Sequence, residues 1–138
     1  MNHDLLGKVM ELVLTDPYYE EESVWIQRNA VYYAVKHGKC LGYEVDGEFV
    51  GYCTYAFLTE EEIALDLWNG AEVYRRDKGE VLFFPKFCCR AGRRDVIRFI
   101  REIQNFFWDR YPDVSVARGL RVYPDGSTRD ELWHRKVA

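Results

Sequence analysis

In the stretch LLGKVMELVL after Asp4, apolar residues fall at positions 5, 6, 9, 12 and 13, the spacing of one helical face. The pattern ends at Asp16-Pro17, because the residue before a proline avoids helical backbone. Ser23, or one of the glutamates before it, starts a second helix. Its apolar face includes Ile26, Ala30, Tyr33 and Ala34, and Gly38 supplies the stop. Glu20, Glu21 and Glu22 stand where a helix N-terminus favours negative charge, so capping explains that run better than a metal site.

The period then drops to two. CLGYEV and EFVGYCTYAF are β-type runs joined by Asp46-Gly47, a preferred two-residue hairpin turn. Thr59 followed by Glu62 is a capping-box pair, which predicts a short helix over EEIALDLW ending at Asn69-Gly70. A turn at Asp77-Lys78-Gly79 leads into a third strand, EVLFFPKF, where Pro85 marks an edge, a bulge or a splay. Helical spacing returns over 93–110: Val96, Ile100, Ile103 and Phe107 share one face, widened by Phe99 and Phe106. Arg94, Arg98, Arg101 and Asn105 share the opposite face. Tyr111-Pro112-Asp113 breaks the helix, VSVARGLRVY is strand-like, Pro124-Asp125-Gly126 is a turn, and STRDELWHRK returns as a last strand. The order ααββ(α)βαββ predicts an α+β fold with a mixed, largely antiparallel sheet flanked by helices, and one domain over residues 1–138.

Composition changes little in that picture, except through its aromatics. Ten Tyr, eight Phe and four Trp need a sizeable core or an adhesive surface to absorb them. No run approaches the roughly 20 apolar residues of a membrane span. The opening MNHDLLGKVMELV has neither a basic leader nor a small-residue cleavage site, so the expectation is a cytoplasmic chain with reduced thiols. Cys40, Cys53, Cys88 and Cys89 contain no C-x-x-C, and His3, His37 and His134 are scattered, so no metal site is expected.

Charge adds more. Residues 1–74 hold 4 Lys/Arg against 14 Asp/Glu, whereas residues 75–138 hold 15 against 9. The basic half is mostly arginine, which suits planar recognition of carboxylate or phosphate. Either the halves neutralise each other or the second presents an anion-binding face. The Arg-rich helix face with Tyr74, Arg75 and Arg76 would suit an acidic protein partner. Nucleic acid is a poorer match, given the net charge of −4 and no recognisable motif. Arg98 with Glu102 and with Asp95 fits an ordinary salt-bridged face.

The candidate chemistry lies in FFPKFCCRAGRRDVIRFI, residues 83–100. A strand, a glycine-bearing turn and a helix N-terminus in that order can grip a phosphate, with Gly92 allowing close backbone approach and Arg90, Arg93 and Arg94 supplying charge. Cys88 or Cys89, beside arginines and a helix N-terminus, is either an activated nucleophile or a structural thiol. Glu80 is either a general base or a solvated strand-end carboxylate, and His134 reads as a surface residue.

This arrangement, with a break in the third strand feeding the long helix, resembles the GNAT N-acyltransferase superfamily. The resemblance implies that the third strand splays from its neighbour, that acyl-CoA or acetyl-CoA lies in the gap, and that backbone amides of the turn, including Cys89 and its neighbours, wrap the pyrophosphate. It further implies an oxyanion donor among the backbone amides near Phe87 and Cys88, and a leaving-group acid at Tyr123, which otherwise reads as a half-buried strand tyrosine. A narrower similarity is to the toxin-activating lysine acyltransferases, which take a fatty acyl chain from acyl carrier protein. It rests on GYCTYAFLTEEEI at 51–63, on Trp68 to Gly70 and on ARGLRVYPDG at 117–126, and covers roughly residues 5–126. The departures are specific. Tyr19 stands where that family has its His, and the family's Asp position falls near Pro85. Neither can replace the original, since a tyrosine with a pKa of about 10 is a poor base and proline carries no proton. In the superfamily phosphate motif Arg/Gln-x-x-Gly-x-Gly/Ala, Cys89 takes the first position and Arg94 the last.

Two functional expectations follow from different classes. One is an acyl-CoA- or acyl-carrier-protein-dependent N-acyltransferase working by direct transfer. The other is a GNAT-like protein that binds without catalysing, similar in layout to small proteins of this kind in phage and mobile-element genomes.

Overall fold

The computed structural model describes residues 2–15, 24–65, 67, 71–122 and 128–135. Two helices come first, α1 (His3–Thr15) and α2 (Val24–Lys36), followed by the hairpin strands β1 (Cys40–Val45) and β2 (Glu48–Leu58). The short helix α3 (Glu60–Ala64) and a 3-10 turn (Ala71–Arg75) lead to β3 (Val81–Cys89), the long helix α4 (Arg93–Arg110), β4 (Val116–Val122) and β5 (Thr128–His134). The five strands form one open sheet in the order β1-β2-β3-β4-β5. Only β3 and β4 run parallel, because α4 carries the chain back across the sheet between them. The α+β class and the mixed, helix-flanked sheet agree with the sequence reading.

The hairpin turn is made as its residues require. Asp46 and Gly47 both have positive φ, 50° and 81°, the backbone of a tight turn matched to strand twist. Gly38 ends α2 with φ 71°, where a side chain would be strained. The capping box is complete: Glu62 N–H donates to Thr59 Oγ1 at 3.1 Å, and Thr59 N–H donates to Glu62 Oε1 at 2.9 Å.

The helices divide the core into two layers. One face of the sheet meets α1, α2 and the 3-10 turn through Val9, Val31, Tyr52, Leu58 and Tyr74. The other meets α4 through Cys53, Tyr55, Phe57, Phe84, Phe99, Ile103 and Phe107. Along β2 the side chains alternate strictly between layers from Tyr52 to Leu58, so this central strand is buried on both faces. The aromatics gather on the α4 side, where Phe107 meets Tyr55 and Phe84 edge to face at 4.7 and 4.8 Å between ring centres.

Several boundaries differ from expectation. The buried line of α4 is Phe99, Ile103 and Phe107, with Val96 and Ile100 only half-buried at its flank. The helix α3 closes at Ala64, shorter than the expected EEIALDLW, and buries none of its residues. Once the cap is made, little apolar contact extends it. Strand β3 runs to Cys89, two residues further than expected, because β2 pairs with it through Gly51↔Cys89. The expected stops at Asp16-Pro17, Asn69-Gly70 and Pro124-Asp125-Gly126 lie outside the described residues.

Candidate functional site

The parallel pair β3–β4 is short. Its pairing consists of Leu82↔Ala117, Phe83↔Arg118 and Phe84↔Gly119. Beyond Phe84, β3 stays with β2 as far as Cys89, while β4 stays with β5 through Val122↔Thr128. The two strands therefore part at Pro85. On its other side, β3 carries a bulge at the same point: Thr54 pairs with Lys86 and Ala56 with Phe83, so Tyr55 faces both Phe84 and Pro85. Proline has no N–H to give a ladder, and the extra residue bends the strand away from β4. Of the three roles open to Pro85, bulge and splay are both realised.

The departing strand leads into a tight turn held from two directions. Arg90 N–H donates to the Val50 carbonyl at 2.7 Å, and its guanidinium donates to the Leu12 carbonyl at 2.9 Å. Part of the Arg90 side chain is thus used to tie the turn to the end of α1. Gly92 is the N-cap of α4 and supplies no side-chain cap. Its carbonyl accepts from Asp95 and Val96 at 2.9 and 3.1 Å, while the first-turn amides of Arg93 and Arg94 point out along the helix axis at its positive end. A Cβ placed on Gly92 would meet nothing within 4 Å, so the space in front of the turn is open. Arg93 and Arg94 are exposed beside it. Gly92, Arg93 and Arg94 thus stand together at this turn, whereas the Arg90 guanidinium is directed to α1.

The titratable candidates are spread out. Cys88 is buried in the α1/α2 layer, across the strand pair from Tyr52. Cys89 lies toward α4, and burial pushes its thiol up, against a weaker downward pull from the Ala91 backbone. A raised thiol is the opposite of the activation expected next to arginines. Phe87 stacks on Phe99 at 5.4 Å between ring centres. Glu80 sits at the other end of β3, where its carboxylate accepts from Glu60 N–H at 3.2 Å. Tyr123 and Tyr19 lie outside the described residues.

Glu80 borders a cleft of about 340 Å³ between the starting ends of β3 and β4, lined also by Glu60, Leu82, Asp113, Val116 and Arg118. Arg118 reaches Glu60 across it at 2.6 Å. This cleft and the Gly92 turn occupy opposite ends of the same strand pair.

The basic residues do not form one surface. Tyr74 is wholly buried, and Arg76 grips Glu62 through both terminal guanidinium nitrogens at 2.5 and 2.9 Å. Tyr74 belongs to the α1/α2 side of the sheet, whereas α4 packs on the other side. Of Tyr74, Arg75 and Arg76, expected beside the Arg-rich helix face, only Arg75 is exposed: Tyr74 is in the core and Arg76 is taken up by Glu62. The spacing-based pairs of Arg98 with Glu102 and with Asp95 do not form ion pairs either.

One polar feature went unread in the sequence. Cys40, Thr54 and Lys86 lie in register across β1, β2 and β3, all buried on the α1/α2 side. The signal available was Lys86 itself, a cation inside the apolar run 81–89. Among the described residues no three His, Cys, Asp or Glu side chains converge to hold a metal ion, and no helix is long and apolar enough to cross a membrane.

No protein-family model matches the chain, and no curated protein matches it in sequence.

Proposed function

We propose that the chain is a GNAT-like N-acyltransferase that takes its acyl group from acyl-CoA or acyl carrier protein and passes it directly to an amine. The observation that carries this reading is the parting of β3 from β4 at Pro85, with the uncapped Gly92 turn at its far end. A strand gap with unpaired backbone can hold an extended pantetheine-like arm, and the turn can hold the phosphate attached to it. Arg93 and Arg94 would add charge-assisted bonds to that phosphate. Backbone amides near Phe87 and Cys88 would face the thioester carbonyl, where donors matter most as charge develops. The donor supplies the activated acyl group, and the chain binds and orients it. Direct transfer suits this site better than a covalent route through cysteine, because Cys88 is turned into the core and the Cys89 thiol is raised.

A second reading is favoured by the same cysteines and by Glu80: no described proton-transfer group is gathered at the gap. In that reading the fold binds a ligand or protein without chemistry.

A thermal-shift titration with CoA, acetyl-CoA and a long-chain acyl-CoA separates the two, run beside Gly92→Trp. A ligand at about 100 times its Kd adds roughly 2.7 kcal/mol, enough to move the melting point by several degrees. Because no atom opposes a side chain at Gly92, the variant is expected to stay folded and lose the shift. Free thiol released from acyl-CoA with an amine present would establish transfer. A shift without release selects the binding reading, and no shift with any donor counts against CoA chemistry.

A further inference from the structure

The outward charge of α4 changes sign along the helix. With Phe99, Ile103 and Phe107 buried, a turn of about 100° per residue puts Arg94, Arg98, Arg101, Glu102, Asn105 and Asp109 on the opposite side. All six are exposed. The N-terminal half of this face is positive and the C-terminal half negative, with Asp95 at its flank and Arg110, in the last turn, on the opposite side of the helix. That order runs against the helix dipole, which favours anions at the N-terminus and cations at the C-terminus. Nothing inside the molecule offsets it: among the described residues, none of these arginines or carboxylates makes an ion pair.

We propose that this face is the contact between two copies of the chain, α4 against α4, antiparallel about a two-fold axis. Arg94 and Arg101 are separated by seven residues, and so are Glu102 and Asp109. With the axis between 101 and 102, Arg101 meets the partner's Glu102, Arg94 meets the partner's Asp109, and Arg98 meets the partner's Asn105. Symmetry repeats each contact, as an isologous interface requires. Antiparallel packing also opposes the two helix dipoles, whereas parallel packing would set like charges together. A nucleic-acid backbone or an acidic protein would satisfy the arginines but press Glu102 and Asp109 against their own sign. The second copy is the occupant that suits both halves. This inference does not depend on the acyl-transfer reading.

Exposed charge pairs are screened by salt, so the dimer should be weak and ionic-strength dependent. Sedimentation equilibrium of the full chain, in roughly 20 mM and 300 mM salt, tests this across a Debye length that shrinks severalfold. The expected result is dimer at low salt, weakened at least tenfold at high salt. Arg101→Glu alone and Glu102→Arg alone should each be monomeric, since each sets like charges opposite one another. Mixed in equal amounts, the two variants should recover the dimer. Circular dichroism of each variant verifies that these exposed substitutions leave the fold intact. A wild-type chain that stays monomeric at low salt, a dimer unaffected by either reversal, or a mixture that fails to associate would each overturn the proposal.

Discussion

The two ends of the β3–β4 pair are built from different materials. At the starting end, side chains hold the structure: Arg118 bridges to Glu60, Glu80 accepts from the α3 backbone, and Glu62 is clamped by Arg76. Close by, Arg135 donates from all three of its nitrogens to the carbonyls of Val114, Trp108 and Tyr111, closing the C-terminal end of α4. At the parting end backbone does more of the work, through a bulge, a glycine N-cap and the Arg90 N–H bond to Val50, with the Arg90 guanidinium adding one side-chain tie to Leu12. An end made of side chains is specific to its own residues.

That contrast can be broken most severely through Arg135. Arg135→Ala removes three hydrogen bonds from a cation to the carbonyls of Trp108, Tyr111 and Val114, of which Tyr111 keeps only the Val114 N–H. A loss of about 3 kcal/mol is expected by urea unfolding, given roughly 1.5–3 kcal/mol for each bond to a charged group and partial rescue by water. Arg135→Lys should recover only part of it, because one ammonium cannot reach the three carbonyls.

Gly51 is the matching test at the parting end. A Cβ there would stand 2.9 Å from the Cys88 carbonyl and 3.2 Å from the Phe99 ring. Gly51→Val should therefore cost about 2 kcal/mol through overpacking and displace the end of β3. Any anion affinity at the turn should fall with it. A variant of native stability would mean that β2 and β3 can separate freely here.

The Glu62 clamp gives a smaller effect with a pH signature. Hydrogen bonds from Arg76 hold the Glu62 carboxyl down at about 2. Its folded value lies below the unfolded one of about 4.3, so its contribution is full above that pH and fades as pH falls toward 2. Glu62→Gln keeps an acceptor for the capping box but removes the charge that Arg76 clamps, and is expected to lose up to about 1 kcal/mol at neutral pH. The difference from wild type should shrink in thermal melts below pH 4. Gly92→Trp should have a comparably small effect, up to about 1 kcal/mol, because it replaces a favoured N-cap residue at a position with open space for a Cβ. At this end the substitution should register chiefly in ligand binding.

Much of the fold could be read from local pattern. Asp46-Gly47, the Thr59/Glu62 box and the bounds of α4 are short-range matters, decided by turn chemistry, capping and helical period. They appear in the structure where the sequence placed them. The reading weakened wherever a partner strand or layer decided the outcome. Cys88 and Cys89 looked like part of a turn because the apolar run is interrupted soon after them, but pairing with β2 extends the strand through both. Tyr74, Arg75 and Arg76 read as neighbours of the α4 arginines because they share the basic second half of the chain. Three-dimensional placement buries the first, leaves the second exposed and pairs the third with Glu62.

The candidate site shows the same division. Gly92 and the arginines around it are visible as residue types, and Pro85 as a break, because each has a local backbone consequence. By itself the sequence determined the elements, the position of the turn and the charge it carries. Tertiary structure alone decided that β3 leaves β4 at Pro85, that Cys88 faces the core, and that the cleft near Glu80 and the turn at Gly92 lie at opposite ends of one strand pair. The physical reason is range: turns, caps and helical faces are fixed by neighbours a few residues apart. Strand partners and the layer a side chain enters are fixed by segments dozens of residues away.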